Sequence, residues 1–154
     1  MEFPFEYRAL GKFAYNVLSD PLTIKAYLMK WIMKEWEFDH NEAPDEYWTV
    51  EWMNVFPRME FELKILPLDD IRPNADLFSV EVFQRGLKER SDDRKESMLR
   101  GVSIEALLVN RNGFELMDGY TRYTVLKRHG QKEVYAYVGT VGQACEVPVG
   151  GKLT

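Results

Sequence analysis

Seven consecutive residues, Met117-Asp118-Gly119-Tyr120-Thr121-Arg122-Tyr123, concentrate the chemistry that this sequence can do. The glycine permits a tight turn, and a helical pattern follows it directly. A helix N-terminus carries unpaired amide donors and partial positive charge, so such a turn is suited to holding a phosphate. Arg122 adds a planar, charged fork of donors, and Thr121 adds a hydroxyl contact. Asp118, at the lip, can orient a sugar, a metal or an attacking hydroxyl. The plainer reading of the same string is a chain reversal that caps a helix.

Other polar residues divide the same way. Asp69-Asp70 is either a metal-binding pair or a solvated loop before the Pro73-Asn74 turn. Glu105 is either a catalytic acid or a surface residue that introduces a strand. Arg85, Lys88, Arg90, Arg94, Lys95 and Arg100 form a basic cluster, but Glu89, Asp92, Asp93 and Glu96 interleave with it, which predicts a solvated mixed-charge helix. Trp31, Trp36, Trp48 and Trp52 offer base-stacking or partner surface, although Trp31 falls on an apolar helix face and reads as core. His129 precedes Gly130 at a helix end, where imidazolium favours the dipole, and His40 fits no pattern.

The elements that must position these groups follow from periodicity. Leu10, Phe13, Ala14, Val17 and Leu18 recur at helical spacing and predict a short helix. Asp20 is a good N-cap and Pro21 suits the first helical position, so a second helix is predicted from there to about Trp36, with Ile24, Tyr27, Leu28, Trp31 and Ile32 on its apolar face. Residues 39–46 read as a connector, and Tyr47 to Phe56 fits a strand or a helix equally. Met59 to Ile65 alternates apolar and charged residues, as a half-buried strand does. Val80, Phe83 and Leu87 predict one helix and Asp92 to Leu99 a second, closed by Gly101. Leu107-Leu108-Val109 and Phe114 to Met117 flank Arg111-Asn112-Gly113 and predict an antiparallel hairpin. A helix from Thr121 to His129, ended by Gly130, precedes a strand over Glu133 to Val138.

With 154 residues, 45% hydrophobic and 29% charged, the chain suits one domain plus an extension. A formal charge of −5 gives no general attraction to nucleic acid, so binding there would need a local basic face. The lone Cys145 cannot form an internal disulfide, and the apolar stretch from Leu22 to Trp36 is broken by Lys25, Lys30, Lys34 and Glu35. The expectation is a cytoplasmic protein without a membrane-spanning helix or a zinc site.

Ile65 to Asn74 resembles the opening strand and turn of ParB-like domains. Gly101 to Val109 resembles their first conserved box, and the hairpin, the Asp118 to Tyr123 turn and the following helix and strand resemble the second. The chain is thus similar, over about half its length, to the ParB/sulfiredoxin superfamily. The resemblance implies a mixed α/β (α+β) domain over 59–139, a small mixed sheet with helices. A helical extension, 1–58, would pack on it, and 140–154 would form a tail. In that superfamily the second box grips nucleotide phosphates: CTP in partition proteins, ATP in sulfiredoxins, ADP in free serine kinases. Gly119, Thr121 and Arg122 match that role, Tyr120 and Tyr123 stand with them as candidate nucleotide-binding positions, and magnesium is the expected companion ion.

Two departures narrow the choice. Sulfiredoxins carry a cysteine two residues before the motif arginine, where this chain has Tyr120. Partition proteins have a paired-arginine box and continue into a helix-turn-helix domain, whereas about fifteen residues follow the core here. The Asp-Gly-aromatic-x-Arg-Tyr form is closer to stand-alone and serine-kinase-like members, in which acidic residues near the first box and the turn assist transfer to a hydroxyl. Asp118, Glu105, Asp69 and Asp70 are the local candidates for that role. The resemblance therefore implies a nucleotide-binding protein, either transferring phosphate to a small hydroxyl compound or acting as an NTP-responsive regulatory module that dimerises or binds a protein partner. Nuclease activity ranks last, for want of a clear metal-binding carboxylate cluster.

Overall fold

The computed structural model describes residues 3–42, 54–75 and 81–141, with the side chains of 35–42 and of 82 excepted. Its elements run in the order β1 (Glu6–Leu10), β2 (Phe13–Val17), α1 (Pro21–Glu42), β3 (Met59–Pro67), α2 (Glu81–Leu99), β4 (Leu107–Asn110), β5 (Glu115–Asp118), α3 (Tyr120–Arg128) and β6 (Glu133–Val141). The main sheet has the order β3-β6-β4-β5. Its β3/β6 and β4/β5 pairs are antiparallel and its β4/β6 pair is parallel, so the sheet is mixed. The inner strand β6 is buried from Val134 through Gly139, on both faces, which is why its apolar run shows no polar alternation.

The helix expected over Leu10 to Leu18 is instead the β1/β2 hairpin, with Leu10 paired to Phe13 across Gly11-Lys12. Gly11 adopts φ +62, which a two-residue hairpin turn requires, and the Gln131 side chain donates to the Leu10 carbonyl at 3.2 Å. Phe13, Ala14, Tyr15 and Val17 are all buried, so residues on both faces of β2 find cover. Backbone pairing then decides the matter: Asn16 N donates to Ile104 O and Ile104 N to Ala14 O, each at 2.9 Å. This long-range pairing outweighs a helical spacing that holds only over one short segment. The described residues before 59 are therefore part strand and part helix, not the helical extension expected.

Helix α1 begins as expected. The Asp20 carboxylate accepts from Thr23 N at 3.0 Å and from Thr23 Oγ1 at 2.8 Å, and these bonds hold its pKa below the ordinary value. Ile24, Leu28 and Ile32 are buried, and Tyr27 and Trp31 pack half-buried beside them. The helix runs on to Glu42, past the expected end near Trp36, because no glycine or proline falls between the two. The segment left open between strand and helix falls mostly outside the described residues, as do Trp48, Trp52 and all of the tail but its first two residues. Its end is a 3₁₀ turn, Phe56–Arg58, with Phe56 buried.

The two helices expected between residues 80 and 99 are one, α2, Glu81–Leu99. Lys88 to Ser91, the stretch between the two patterns, holds neither glycine nor proline, so nothing interrupts the helix. Among the described residues Leu87, Ser91 and Met98 are its buried positions, and it packs on α3. The β4/β5 hairpin forms as expected, its turn tightened into a 3₁₀ segment, Asn112–Phe114.

Candidate functional site around the Asp118 to Arg122 turn

A register shift in the β4/β5 ladder prepares the turn. Leu108 pairs with Asp118 and Val109 with Leu116, so Met117 is an extra residue on β5. Such a bulge bends its strand and re-aims the residues after it. Gly119 follows at φ +101, ψ 28 and is the N-cap of α3. The Tyr123 amide donates to the Gly119 carbonyl at 2.8 Å, so the amides of Tyr120, Thr121 and Arg122 have no partner within the helix.

Arg122 folds back over this turn: a Cβ built on Gly119 would stand 2.7 Å from Arg122 Nη2 and 2.8 Å from Leu107 Cδ2. The guanidinium is only 12% exposed and lies between two carboxylates, with Nη1 3.8 Å from Glu105 Oε2 and Nη2 3.6 Å from Asp118 Oδ2. Both contacts are longer than a hydrogen bond, and Arg122 Nε is buried with no hydrogen-bond partner. Glu105 reaches the site because its neighbour Ile104 is clamped by β2, and the Tyr27 hydroxyl of α1 donates to Glu105 Oε1. Burial pushes the Glu105 carboxyl above its ordinary pKa; Arg122 opposes this and the Asp118 charge adds to it. Tyr137, which shares this cleft and accepts from Leu18 N at 2.9 Å, has its phenol pushed up to about 12 by burial.

Tyr27, Trp31, Glu105, Asp118, Arg122 and Tyr137 together line a cleft of about 10 Å³, room for about one water molecule. A wider cleft of about 420 Å³ lies apart from this constellation, between the start of α1 and β3, beside Lys25, Glu60 and Glu62.

On the other side of the turn, α2 brings Arg90, whose Nε donates to Thr121 Oγ1 at 3.3 Å. Arg128 of α3 meets Asp92 of α2 at 3.2 Å.

Of the residues the sequence singles out, the fold thus brings together Glu105, Asp118, Gly119, Thr121 and Arg122. Tyr120 and Tyr123 are buried. The Tyr120 hydroxyl donates to Leu116 O and accepts from Asn74 N, each at 3.0 Å, and burial raises its pKa. Asp69 and Asp70 are exposed on the 3₁₀ turn that follows β3, outside the cleft lining. Tyr27 and Arg90 are members that the sequence reading did not select for this site. Tyr27 carried only the signature of an apolar helix face, and Arg90 only that of a mixed-charge run. Among the described residues, no three His, Cys, Asp or Glu side chains gather as a metal-binding group. No described helix is long and apolar enough to cross a membrane.

No protein-family model and no curated protein matches the chain. Solved structures do. Two structures of the pNOB8-like ParB N-domain, one of them the C2221 form, show TM-scores of 0.42 and 0.43 for the C2221 form, identities of 23% and 19%, and cover 57% of this chain. They are matched over 31% and 32% of their own length. The C-terminally truncated chromosome-partitioning protein ParB from Caulobacter crescentus, complexed with CTP-gamma-S, shows a TM-score of 0.38 at 19% identity, with 59% of this chain and 48% of that chain covered. The chain therefore spans less than half the length of each, and all three are structures of ParB proteins or their N-domains.

Proposed function

We propose that this chain is a ParB-like nucleotide-binding protein that holds phosphates on the Asp118 to Arg122 turn. The observation that carries the reading is the Arg122 guanidinium folded over Gly119, at a helix N-terminus whose first three amides have no partner within the helix. Gly119 lets the Arg122 guanidinium pack directly on the turn, Thr121 supplies a hydroxyl, and the Arg122 terminal nitrogens approach Glu105 and Asp118 only at 3.8 and 3.6 Å, beyond hydrogen-bond length. Were a magnesium ion to accompany the phosphates, Asp118 would be the carboxylate to hold it, since carboxylate plus phosphate oxygens is the usual coordination of that ion.

A second reading, phosphate transfer to a small hydroxyl compound, is favoured by Glu105. Burial raises its pKa, which makes its carboxylate a stronger base toward a hydroxyl than an exposed glutamate. Its Oε1 is already engaged by Tyr27, and the cleft beside it admits about one water molecule, so an acceptor would have to displace α1 side chains. Binding without transfer, in a module that changes partner or dimerises when nucleotide is present, needs no such displacement and is the form we favour.

Calorimetric titration with ATP, ADP and CTP, with and without magnesium, tests the reading. The parent protein binds at least one of them, and Arg122→Ala and Thr121→Ala each weaken it by at least a few-fold, with circular dichroism confirming that the variants fold. Absence of binding by the parent overturns the reading and returns the turn to a structural role.

A further inference from the structure

Charge at the turn does not balance for an anion if Arg122 is its only cation. The guanidinium faces two carboxylates, Glu105 at 3.8 Å and Asp118 at 3.6 Å, so the cluster is net negative whenever both are ionised. A phosphate brought there meets an arginine whose charge is already spent on its neighbours. It also meets the field of the remaining carboxylate, which in the case of Asp118, only 15% exposed, costs more than a surface charge would.

The opposite flank differs. Arg90, on α2, donates through Nε to Thr121 Oγ1 at 3.3 Å, which sets its guanidinium beside the first turn of α3. Its side chain is exposed, it lies over Gly86, and among the described residues it has no ion pair. Neighbouring cations on the same helices are differently placed: Arg85 is paired with Glu81 at 3.0 Å, and Arg128 with Asp92.

We propose that Arg90 is the second cationic ligand of the bound phosphate, approaching from the α2 side, and that its charge offsets the net negative charge of the Arg122 cluster. The inference rests on the phosphate-turn reading above and adds to it a residue outside the motif, from an element separated from it in sequence. Thr121 then has two tasks, one hydroxyl contact to the phosphate and one hydrogen bond that holds the Arg90 fork in reach. The ligand class is a polyphosphate, whether free or carried on a nucleoside, because nothing in this contact reads a base.

The test is a titration of ATP, CTP and inorganic tripolyphosphate into the full chain and into Arg90→Ala, Arg90→Lys and, as a charge control, Arg85→Ala. Arg90 is exposed, so its variants should keep the parent's thermal midpoint. Loss of a charge-assisted contact weakens binding about tenfold or more in Arg90→Ala, equally for every ligand the parent binds. Arg90→Lys falls between, keeping the charge but losing the fork, and Arg85→Ala binds as the parent does. If the parent and Arg90→Ala bind alike while Arg122→Ala is impaired, the phosphate-turn reading stands and the Arg90 inference is overturned. An equal loss in Arg85→Ala overturns it too, since the effect would then be one of overall charge. If the parent binds none of the three ligands, both fall together. Binding of tripolyphosphate with the Arg90 dependence, but of neither nucleotide, supports the contact and identifies the ligand as a free polyphosphate.

Discussion

Replacing Gly119 with alanine should destabilise the protein by two separable effects, and the structure contains the control that separates them. The backbone at Gly119 sits at φ +101, a region that residues with a Cβ rarely adopt, and imposing it costs on the order of 1–2 kcal/mol. The new methyl would also come within 2.7 Å of Arg122 Nη2 and 2.8 Å of Leu107 Cδ2. Leu107 is fully buried and cannot step aside. Arg122 can swing, but only by opening its 3.6 Å approach to Asp118. That second effect should add about 1 kcal/mol, as overpacking in a tight interior does. Gly101 supplies the comparison: it stands at φ +89, and a Cβ there would meet nothing within 4 Å. Gly101→Ala should therefore show backbone strain alone, and Gly119→Ala should exceed it by about 1 kcal/mol. Urea denaturation of the parent and both variants, analysed at a common slope, measures the difference. A Gly119→Ala cost equal to or below that of Gly101→Ala would refute the packing of Arg122 over the turn, and with it the arrangement on which the phosphate reading depends.

Two further outcomes are expected. Glu105 has its pKa raised by burial, so the folded state holds its proton more tightly than the unfolded chain, and this group loses the protein stability as pH climbs from the ordinary glutamate value, about 4.3, through the raised one. Glu105→Gln removes that loss, so its thermal midpoint relative to the parent should rise across this window and then level; a relative fall would show that the Arg122 attraction outweighs burial. Tyr137→Phe leaves the Leu18 amide, which donates to the Tyr137 hydroxyl at 2.9 Å, buried without an acceptor, at a cost of about 1–3 kcal/mol readable by urea denaturation. An unchanged midpoint would mean that water or another acceptor replaces the phenol.

The parts of this fold that the sequence makes legible are those whose cause is local. Asp20 and Pro21 mark the start of α1 because capping and the fixed φ of proline act within a single turn, and Asn112-Gly113 marks the β4/β5 reversal for the same reason. Gly119 is recognisable as a helix-opening glycine from its immediate neighbours. The hairpin at the chain's start is not, because Phe13, Ala14 and Val17 satisfy a helical period while Phe13, Tyr15 and Val17 satisfy a strand's. What chooses between them is the pairing of Ala14 and Asn16 with Ile104, almost ninety positions away. The break expected within α2 is absent because the stretch between the two apolar patterns, Lys88 to Ser91, holds no glycine or proline, and polar side chains on an exposed face leave a helix intact.

The same distinction governs the candidate site. The turn is a local motif and could be read; the groups that set its electrostatics are not. Tyr27 meets Glu105 across 78 positions and Arg90 meets Thr121 across 31, each through an element that has its own reasons to exist. β2 clamps Ile104 and so delivers Glu105, α1 buries Ile24, Leu28 and Ile32 and so delivers Tyr27, and α2 packs on α3 and so delivers Arg90. One glutamate brought from outside the turn makes the Arg122 cluster net negative; one arginine brought from outside restores a cation beside the helix N-terminus. Whether this turn favours or repels an anion is thus decided by residues that the motif does not contain. For that reason the Arg90 substitutions bear more directly on phosphate binding than any change within the motif, where loss of binding and loss of structure share the same side chains.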